Sequence, residues 1–481
     1  MSLDSIKLGK RGIGDFRFRR LGRQFLITNE LGEYSFLDPR SFQSFISGGN
    51  KRLSILKLDE LSNKGFIPGA LNSDVLSYRY ALRNRFLFSG PSLHIIVVTL
   101  RCDHRCIYCQ ASSRPQDGTG WDMDESTAAK VVDTILEGPS DNIAVEFQGG
   151  EPLLNFKTVK FIIRYARREN KTRKKKITFT LVSNFSHMDD EKLDYLATND
   201  VSLCTSLDGP EELHNKHRIT AGGRNSFRNT VKWIKKIDEK IKAGEYKRGI
   251  NALATITRYS LRYPRRIVDE YVNLGLSGIH LRPVSPFGAG RSIINKTMGF
   301  TAREFMDFYK EAMRHILKIN KKGKYFFERT AKIFLTKILS DNDENYMDLR
   351  SPCGAGVGQL AYNFNGDVYT CDEGRMLSAG PADEIFRLGN VKADRYCDLI
   401  DNPTVKSLCL ASCLSNLPRC SDCAYKSYCG VCPVYNYAVS GNLFSRCIND
   451  KCRIQRSQLD YLFAALRTPA RHIYQSWINM R

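Results

Sequence analysis

Apolar and polar positions along the 481-residue chain change rhythm more than once. Up to about residue 90 the apolar residues alternate in short runs, Phe16-Arg17-Phe18, Gln24 to Thr28 and Glu33 to Leu37, interrupted by Asn29-Glu30-Leu31-Gly32. Period-two alternation around a turn-forming stretch predicts β-hairpins. Helical patterns follow at Asp38 to Ile46, where Asp38 suits the cap and Pro39 the first helical position, and at Ser73 to Phe86. Residues 1–90 therefore read as a small α+β domain without cysteine.

From residue 91 apolar runs alternate with amphipathic helices, the signature of parallel βα units. Strands are expected at Leu93 to Thr99, Ile143 to Phe147, Ile177 to Val182, Ser202 to Ser206, Ile250 to Ile256 and Gly278 to Leu281. Helices fit between them at Ser126 to Leu136, Phe156 to Arg168, Asp190 to Ala197, Ser226 to Lys242 and Arg262 to Leu274. The fold class is α/β, an open barrel or doubly wound sheet, and either places its active-site loops at the strand C-termini. A helical connector over residues 301–350, a cysteine-rich region over 351–455 and a C-terminal helix over 456–481 complete the organisation.

Composition narrows the setting. No apolar stretch reaches the ~20 residues of a membrane helix, and MSLDSIKLGK lacks a signal-peptide core, so the expected compartment is the cytoplasm, with no membrane partner. The net charge of +22 could serve nucleic acid or an acidic peptide, but the basic runs carry few interleaved aromatics, so nucleic acid is not indicated. Fifteen cysteines in a reducing compartment argue for metal or redox work. Three lie between Cys102 and Cys109, Cys204 reads as a buried small hydrophobe, and eleven lie between Cys353 and Cys452.

Cys102, Cys106 and Cys109 form a CxxxCxxC loop directly after the first barrel strand. Three thiolates leave one iron of a 4Fe-4S cube open to a chelate such as S-adenosylmethionine (SAM). A zinc site completed by His104 is the competing reading. Later strand ends carry Gly149-Gly150-Glu151-Pro152, Ser206-Leu207-Asp208-Gly209 and Leu281-Arg282-Pro283-Val284. Together with Tyr108 before the last cysteine, these motifs resemble the radical SAM superfamily over residues 91–300. The resemblance implies a partial (β/α)6 barrel, with Cys102, Cys106 and Cys109 on the cluster and Tyr108, Gly149, Gly150, Glu151, Ser206, Asp208 and Leu281 around SAM. Arg218 could contact a carboxylate or form a surface salt bridge.

The later field, Cys353, Gly366, Cys371, then Cys420, Cys423, Cys429, Cys432, Cys447 and Cys452, resembles the SPASM extension of radical SAM peptide maturases, although the central run ends in Cx2C. The resemblance implies one auxiliary cluster on Cys353, Cys371 and Cys432, its fourth ligand open among Cys452, Cys409, Cys413 and a substrate group. It implies a second on Cys420, Cys423, Cys429 and either Cys447 or Cys452. Asp372 holds the position where sulfatase maturases carry a base; a solvated turn residue is the alternative. The subfamily it most resembles is the His-Xaa-Ser system radical SAM maturase, implying a peptide or protein substrate and an electron donor such as flavodoxin or ferredoxin. The N-terminal domain could offer a sheet edge to that peptide. A formylglycine-forming sulfatase maturase, an RNA-modifying radical SAM enzyme and a zinc scaffold remain as alternatives.

Overall fold

At the N-terminal end, β1 (Arg17–Leu21), β2 (Gln24–Thr28) and β3 (Tyr34–Leu37) form an antiparallel meander, followed by α1 (Pro39–Ile46), α2 (Ile55–Asn63) and α3 (Ser73–Asn84). The protein is described here from a computed structural model over residues 13–48, 53–67, 73–288, 297–342, 346–378, 384–445 and 449–479. Asp38 caps α1 by accepting from the Arg40 and Ser41 amides, as its sequence position predicts.

The barrel strands are β4 (Leu93–Thr99), β5 (Asn142–Gly149), β6 (Lys176–Ser183), β7 (Ser202–Ser206), β8 (Ile250–Ile256) and β9 (Leu281–Pro283). Between them run α4 (Glu125–Glu137), α5 (Phe156–Arg173), α6 (Asp190–Thr198), α7 (Glu211–His217), α8 (Ser226–Lys242) and α9 (Pro264–Asn273). After α10 (Ala302–Lys321) and α11 (Arg329–Leu339), the cysteine-rich region adds β10 (Gln359–Tyr362), β11 (Asp367–Tyr369) and β12 (Arg387–Asn390). Its helices are α12 (Asp372–Leu377), α13 (Tyr396–Ile400), α14 (Pro403–Ser412) and α15 (Pro433–Ser440); α16 (Asp450–Ala465) and α17 (Arg471–Asn479) end the fold.

One sheet unites both regions, in the order β9-β8-β7-β6-β5-β4-β10-β11-β12. Pairing is parallel from β9 through β10 and antiparallel beyond. The six barrel strands thus stay open, and β10 occupies the side of β4 that would otherwise be an unpaired edge. Strand alternation assigns the two faces. Val145, Phe147, Phe179 and Leu181 pack outward against Val131, Ile135, Val159 and Ile163 of the helices, each contributing roughly 1.5–3 kcal/mol by burial. Glu146, Gln148 and Cys204 alternate with these outward positions.

Four expectations change in detail. Gly278 to Leu281 is not one strand: Gly278–Ile279 pairs with Phe327–Glu328, while Leu281–Pro283 pairs with β8. The segment after Thr301 is two helices, broken where Asn320 accepts from Phe326 N and donates to the Ile316 and Phe326 carbonyls. The C-terminal helix is likewise two, parted near Pro469. Helix α2 was not expected from the pattern, because Ile55 and Leu56 are exposed and only Leu61 is buried; the Ser54 cap starts it.

The N-terminal sheet docks on the cysteine-rich region. Thr28 Oγ1 donates to Ala424 O at 2.8 Å, Tyr428 OH to Gly32 O at 2.9 Å, and Arg19 binds both Asp460 oxygens at 2.6 and 2.7 Å. Among the described residues no helix is long and apolar enough to cross a membrane.

Candidate active site

The loop after β4 carries Cys102, Cys106 and Cys109 into one cleft with Tyr108, Gly149, Gly150, Ser183, Asn184, Ser206 and Arg218. The glycine turn at the end of β5 is pressed against the cysteine loop: a Cβ at Gly149 would stand 2.1 Å from Thr99 O, and one at Gly150 2.2 Å from Arg101 O. Both contacts are to backbone, so neither position admits a side chain without moving the loop.

Burial pushes the Cys106 thiol up to about 12, and raises Cys102 well above its usual value. The guanidinium of Arg218 works in the opposite direction on Cys106. Arg218 is held by Asp208, its Nε 2.9 Å from Oδ2, and the pair is buried rather than the surface bridge that the sequence allowed. Asp208 is a hub. It accepts also from Tyr108 OH, from His217 Nδ1 at 3.3 Å and from Thr255 N at 3.0 Å. Despite complete burial these partners hold its carboxyl far below the usual range. In this arrangement the chain's own donors occupy Asp208, and Arg218 is the member of the pair that lines the cleft.

A second network lies behind Cys102. His104 places Nδ1 on Asp103 at 2.9 Å and Nε2 on Ser226 Oγ at 2.8 Å, while Asn184 Nδ2 donates to Asp103 at 3.2 Å and lies 3.8 Å from Cys102 Sγ. Ser186 Oγ donates to Asp103 at 2.8 Å. Glu151 turns inward, accepting from Ser183 Oγ at 2.7 Å and Asn184 N at 2.8 Å, with burial raising its pKa to about 7. It positions the β6 loop and does not line the cleft. Leu281 is fully buried in the barrel core, outside the cleft. No sequence motif flagged Asp103, Asn184 or Ser186; only their contacts across some 80 residues of chain bring them together.

The donor set fits an iron-sulfur cluster better than zinc. Both nitrogens of His104 are engaged by protein groups, so the zinc reading loses its fourth ligand. Among the described residues the ligand atoms that gather within 4.8 Å of one another are those of Cys102, Asp103 and His104, not the three sulfurs. A cube spreads its thiolates over separate irons, whereas one zinc ion would gather them at ~2.3 Å from itself.

The structure sorts the later cysteines into sets. Cys353, Cys371 and Cys432 are buried in one apolar cluster, burial raises the pKa of each, and Cys432 adds to the rise at Cys353 and Cys371. Cys371 and Cys432 cap α12 and α15, their sulfurs accepting from Gly374 N at 3.3 Å and Tyr435 N at 3.4 Å. Cys420, Cys423, Cys429 and Cys452 line a neighbouring cleft that Cys432 also reaches, and burial with Cys423, Cys452 and Cys420 raises the Cys429 thiol. Cys447 lies outside the described residues. Cys409 and Cys413 lie a turn apart at the end of α14, and burial with the neighbouring Cys413 raises the Cys409 thiol. Asp372 is neither solvated nor free: it is 4% exposed and pairs with Arg375 Nε at 2.7 Å. Arg375 Nη1 reaches Ala111 O at 3.4 Å, tying α12 to the loop that follows Cys109.

Residues 96–257 match the Radical SAM superfamily. The radical SAM cyclopropyl synthase TigE of Paramaledivibacter caminithermalis is 24% identical over 236 residues, 46% of each chain, so this match spans less than half of that relative. The cysteine-type anaerobic sulfatase-maturating enzyme of Clostridium novyi is 21% identical, covering 70% of this chain and 86% of its own. Among solved structures, anSMEcpe with bound AdoMet superposes with a TM-score of 0.66 at 18% identity, over 81% of this chain and all of that one. Streptococcus suis SuiB bound to precursor peptide SuiA gives 0.54 at 14% identity, over 91% and 99%. The three-cysteine loop at the mouth of an open parallel barrel thus lies inside the stretch that matches the radical SAM superfamily, and its donor set fits the SAM-binding 4Fe-4S cluster of that family.

Proposed function

We propose that this enzyme modifies a ribosomally made peptide or protein, of the His-Xaa-Ser type, using auxiliary clusters on the sets Cys353/Cys371/Cys432 and Cys420/Cys423/Cys429/Cys452. The observation that carries the reading is the direct contact of Arg375, one turn after Cys371, with the loop that follows Cys109. An electron left by substrate oxidation would have only a short way to travel between the two cysteine sites. Similarity to anSMEcpe and SuiB, whose structures contain bound peptides, supports the substrate class.

When bound, the cluster and SAM supply a 5′-deoxyadenosyl radical for hydrogen abstraction from carbon. The chain's own groups would then do the positioning. Cys102, Cys106 and Cys109 would hold the cluster, the side-chain-free Gly149-Gly150 backbone would leave room for SAM beside it, and Arg218, fixed by Asp208, would offset the negative charge of the thiolates. Asp372 is locked by Arg375, so a role as base requires that pair to open first.

The test is anaerobic turnover of the reconstituted protein with SAM and dithionite, offering a peptide with His-Xaa-Ser repeats beside Cys- and Ser-containing sulfatase-type peptides. The reading expects a several-fold rise in 5′-deoxyadenosine and a mass change on the first peptide. An aldehyde formed on the second set alone would establish the sulfatase-maturase alternative, which the Clostridium novyi match favours.

The N-terminal domain supports a docking role. β3 is one of the two edge strands of its sheet, and two of its carbonyls are held by lysines: Tyr34 O by Lys64 Nζ at 2.8 Å and Phe36 O by Lys57 Nζ at 3.3 Å. These lysines, with Arg467 and Arg471, line a cleft of about 520 Å3 whose single acidic residue is Glu60. An extended acidic leader would pair with β3 while its carboxylates take over the lysines. Lys57→Glu/Lys64→Glu should weaken binding of a glutamate-rich synthetic peptide at least about tenfold, measured by fluorescence anisotropy, and added salt should weaken binding to the unmodified protein.

A further inference from the structure

A cavity of about 180 Å3 lies between β9 and the cysteine-rich region, outside the cleft of the three-cysteine loop. Its walls follow directly from cysteines on one side. Glu373 comes two residues after Cys371 in α12, and Tyr435 three residues after Cys432 in α15. On the other side the wall is Arg282 to Phe287, whose Ser285 carbonyl accepts from Gln110 Nε2 at 3.1 Å. Immediately beyond it, a Cβ at Gly288 would stand 2.8 Å from Cys109 O. The cavity therefore sits between the loop of Cys109 and the Cys371/Cys432 set, where a substrate must lie to meet both.

Five charged side chains line this space, and one of them, Asp450, is paired with Arg453 at 3.0 Å. Lys451 and Asp348 form a closed pair at 2.8 Å, and Lys451 also stands over the Tyr435 ring. Arg282 and Glu373 approach only to 3.6 Å, longer than a hydrogen bond. Within these two pairs the charges cancel, and Asp450 has its own counter-ion in Arg453, so the cavity favours neither a net cation nor a net anion. Its unfilled capacity is dipolar, a guanidinium donor and a carboxylate acceptor a few ångströms apart.

We propose that Arg282 and Glu373 clamp a main-chain peptide group of the substrate, Arg282 donating to the carbonyl oxygen and Glu373 accepting from the N–H. Phe287 and Tyr435, packed edge to face, bound the apolar side of the same seat. Because the clamp reads backbone, it accepts different side chains and fixes where along the chain the reacting carbon stands. The proposal rests on the peptide-maturase reading above.

The test uses the full-length, cluster-reconstituted protein and a mixture of short acetylated, amidated peptides, with saturation-transfer NMR as readout. The unmodified protein should bind the mixture and lose at least about tenfold in affinity for N-methylated counterparts, which lack the N–H. Glu373→Ala and Arg282→Ala should lose as much, and Glu373→Gln, which keeps an acceptor, should retain part of the binding. SAM affinity and melting temperature report whether each variant has folded. Equal binding by Glu373→Ala, or indifference to N-methylation, overturns the clamp and leaves the peptide reading standing. If no peptide binds the unmodified protein and none stimulates SAM cleavage, the peptide reading itself falls, and the clamp with it.

Discussion

Replacing Cys102, Cys106 and Cys109 together by alanine should abolish 5′-deoxyadenosine formation and lower bound iron by about four atoms per chain, leaving the rest of the iron in place. The loss is expected to be complete rather than graded, because the three thiolates hold one object and removing it removes the electron entry point. Folding should survive. The loop hangs from β4 and β5, whose pairing runs from Leu93↔Ala144 to Thr99↔Gly149 without the cysteines. Iron and sulfide analysis with visible absorption checks the count; unchanged iron in the triple variant would return the loop to a structural role. A pH dependence accompanies this. Cys106 has its thiol pushed up to about 12 by burial, so loading must drive protons off groups that are neutral in the metal-free protein. Reconstitution at fixed iron and sulfide should therefore weaken as pH falls, with acid uptake by the buffer reporting the released protons.

Much of this was legible in the residues, for identifiable reasons. The barrel strands announce themselves because their outward faces are continuous apolar runs, as in Leu93 to Thr99 and Ile250 to Ile256, and the structure keeps both bounds. The strand that failed as one piece, Gly278 to Leu281, has the same apolar look but a turn at His280, where Arg282 N reaches back to the His280 carbonyl at 3.0 Å. No local pattern encodes that switch of partner. Helix α2 escaped because its two leading apolar residues point to solvent. At the site, the cysteine spacing pointed to a metal centre, and the resemblance to the radical SAM superfamily named the cluster and the glycines, since chelation and close backbone approach demand those residue types. The charges around them could not. Tyr108, Asp208 and Arg218 are joined across 100 residues of sequence, and Asp372, read as either a base or a turn residue, has a buried partner in Arg375 that the sequence did not reveal. Motifs record what a ligand requires; the counter-charges that make burial tolerable are chosen by the fold.

That distinction sets the second large effect, expected at Asp208. Its carboxylate is wholly buried and serves Arg218, Tyr108, His217 and the Thr255 amide at once. Truncation by Asp208→Ala strands a buried guanidinium and a buried phenol, and breaking a buried ion pair from one side costs about 3–5 kcal/mol. Asp208→Asn keeps the shape but turns an acceptor of several donors into one that must also donate, so it should lose somewhat less stability and still release Arg218. With Arg218 loosened, the opposing influence on Cys106 fades, and both variants should bind SAM and the cluster poorly even under conditions where they remain folded. The sign of the pH response follows from the carboxyl, held far below its unfolded value: its stabilisation is full above an unfolded pKa of about 3.9 and drains away as pH falls toward the folded one. Thermal melts of the unmodified protein and of Asp208→Asn should therefore converge only in strong acid and stand furthest apart at neutral pH. Parallel melting curves at every pH would mean that Asp208 is not the charge that holds the site together.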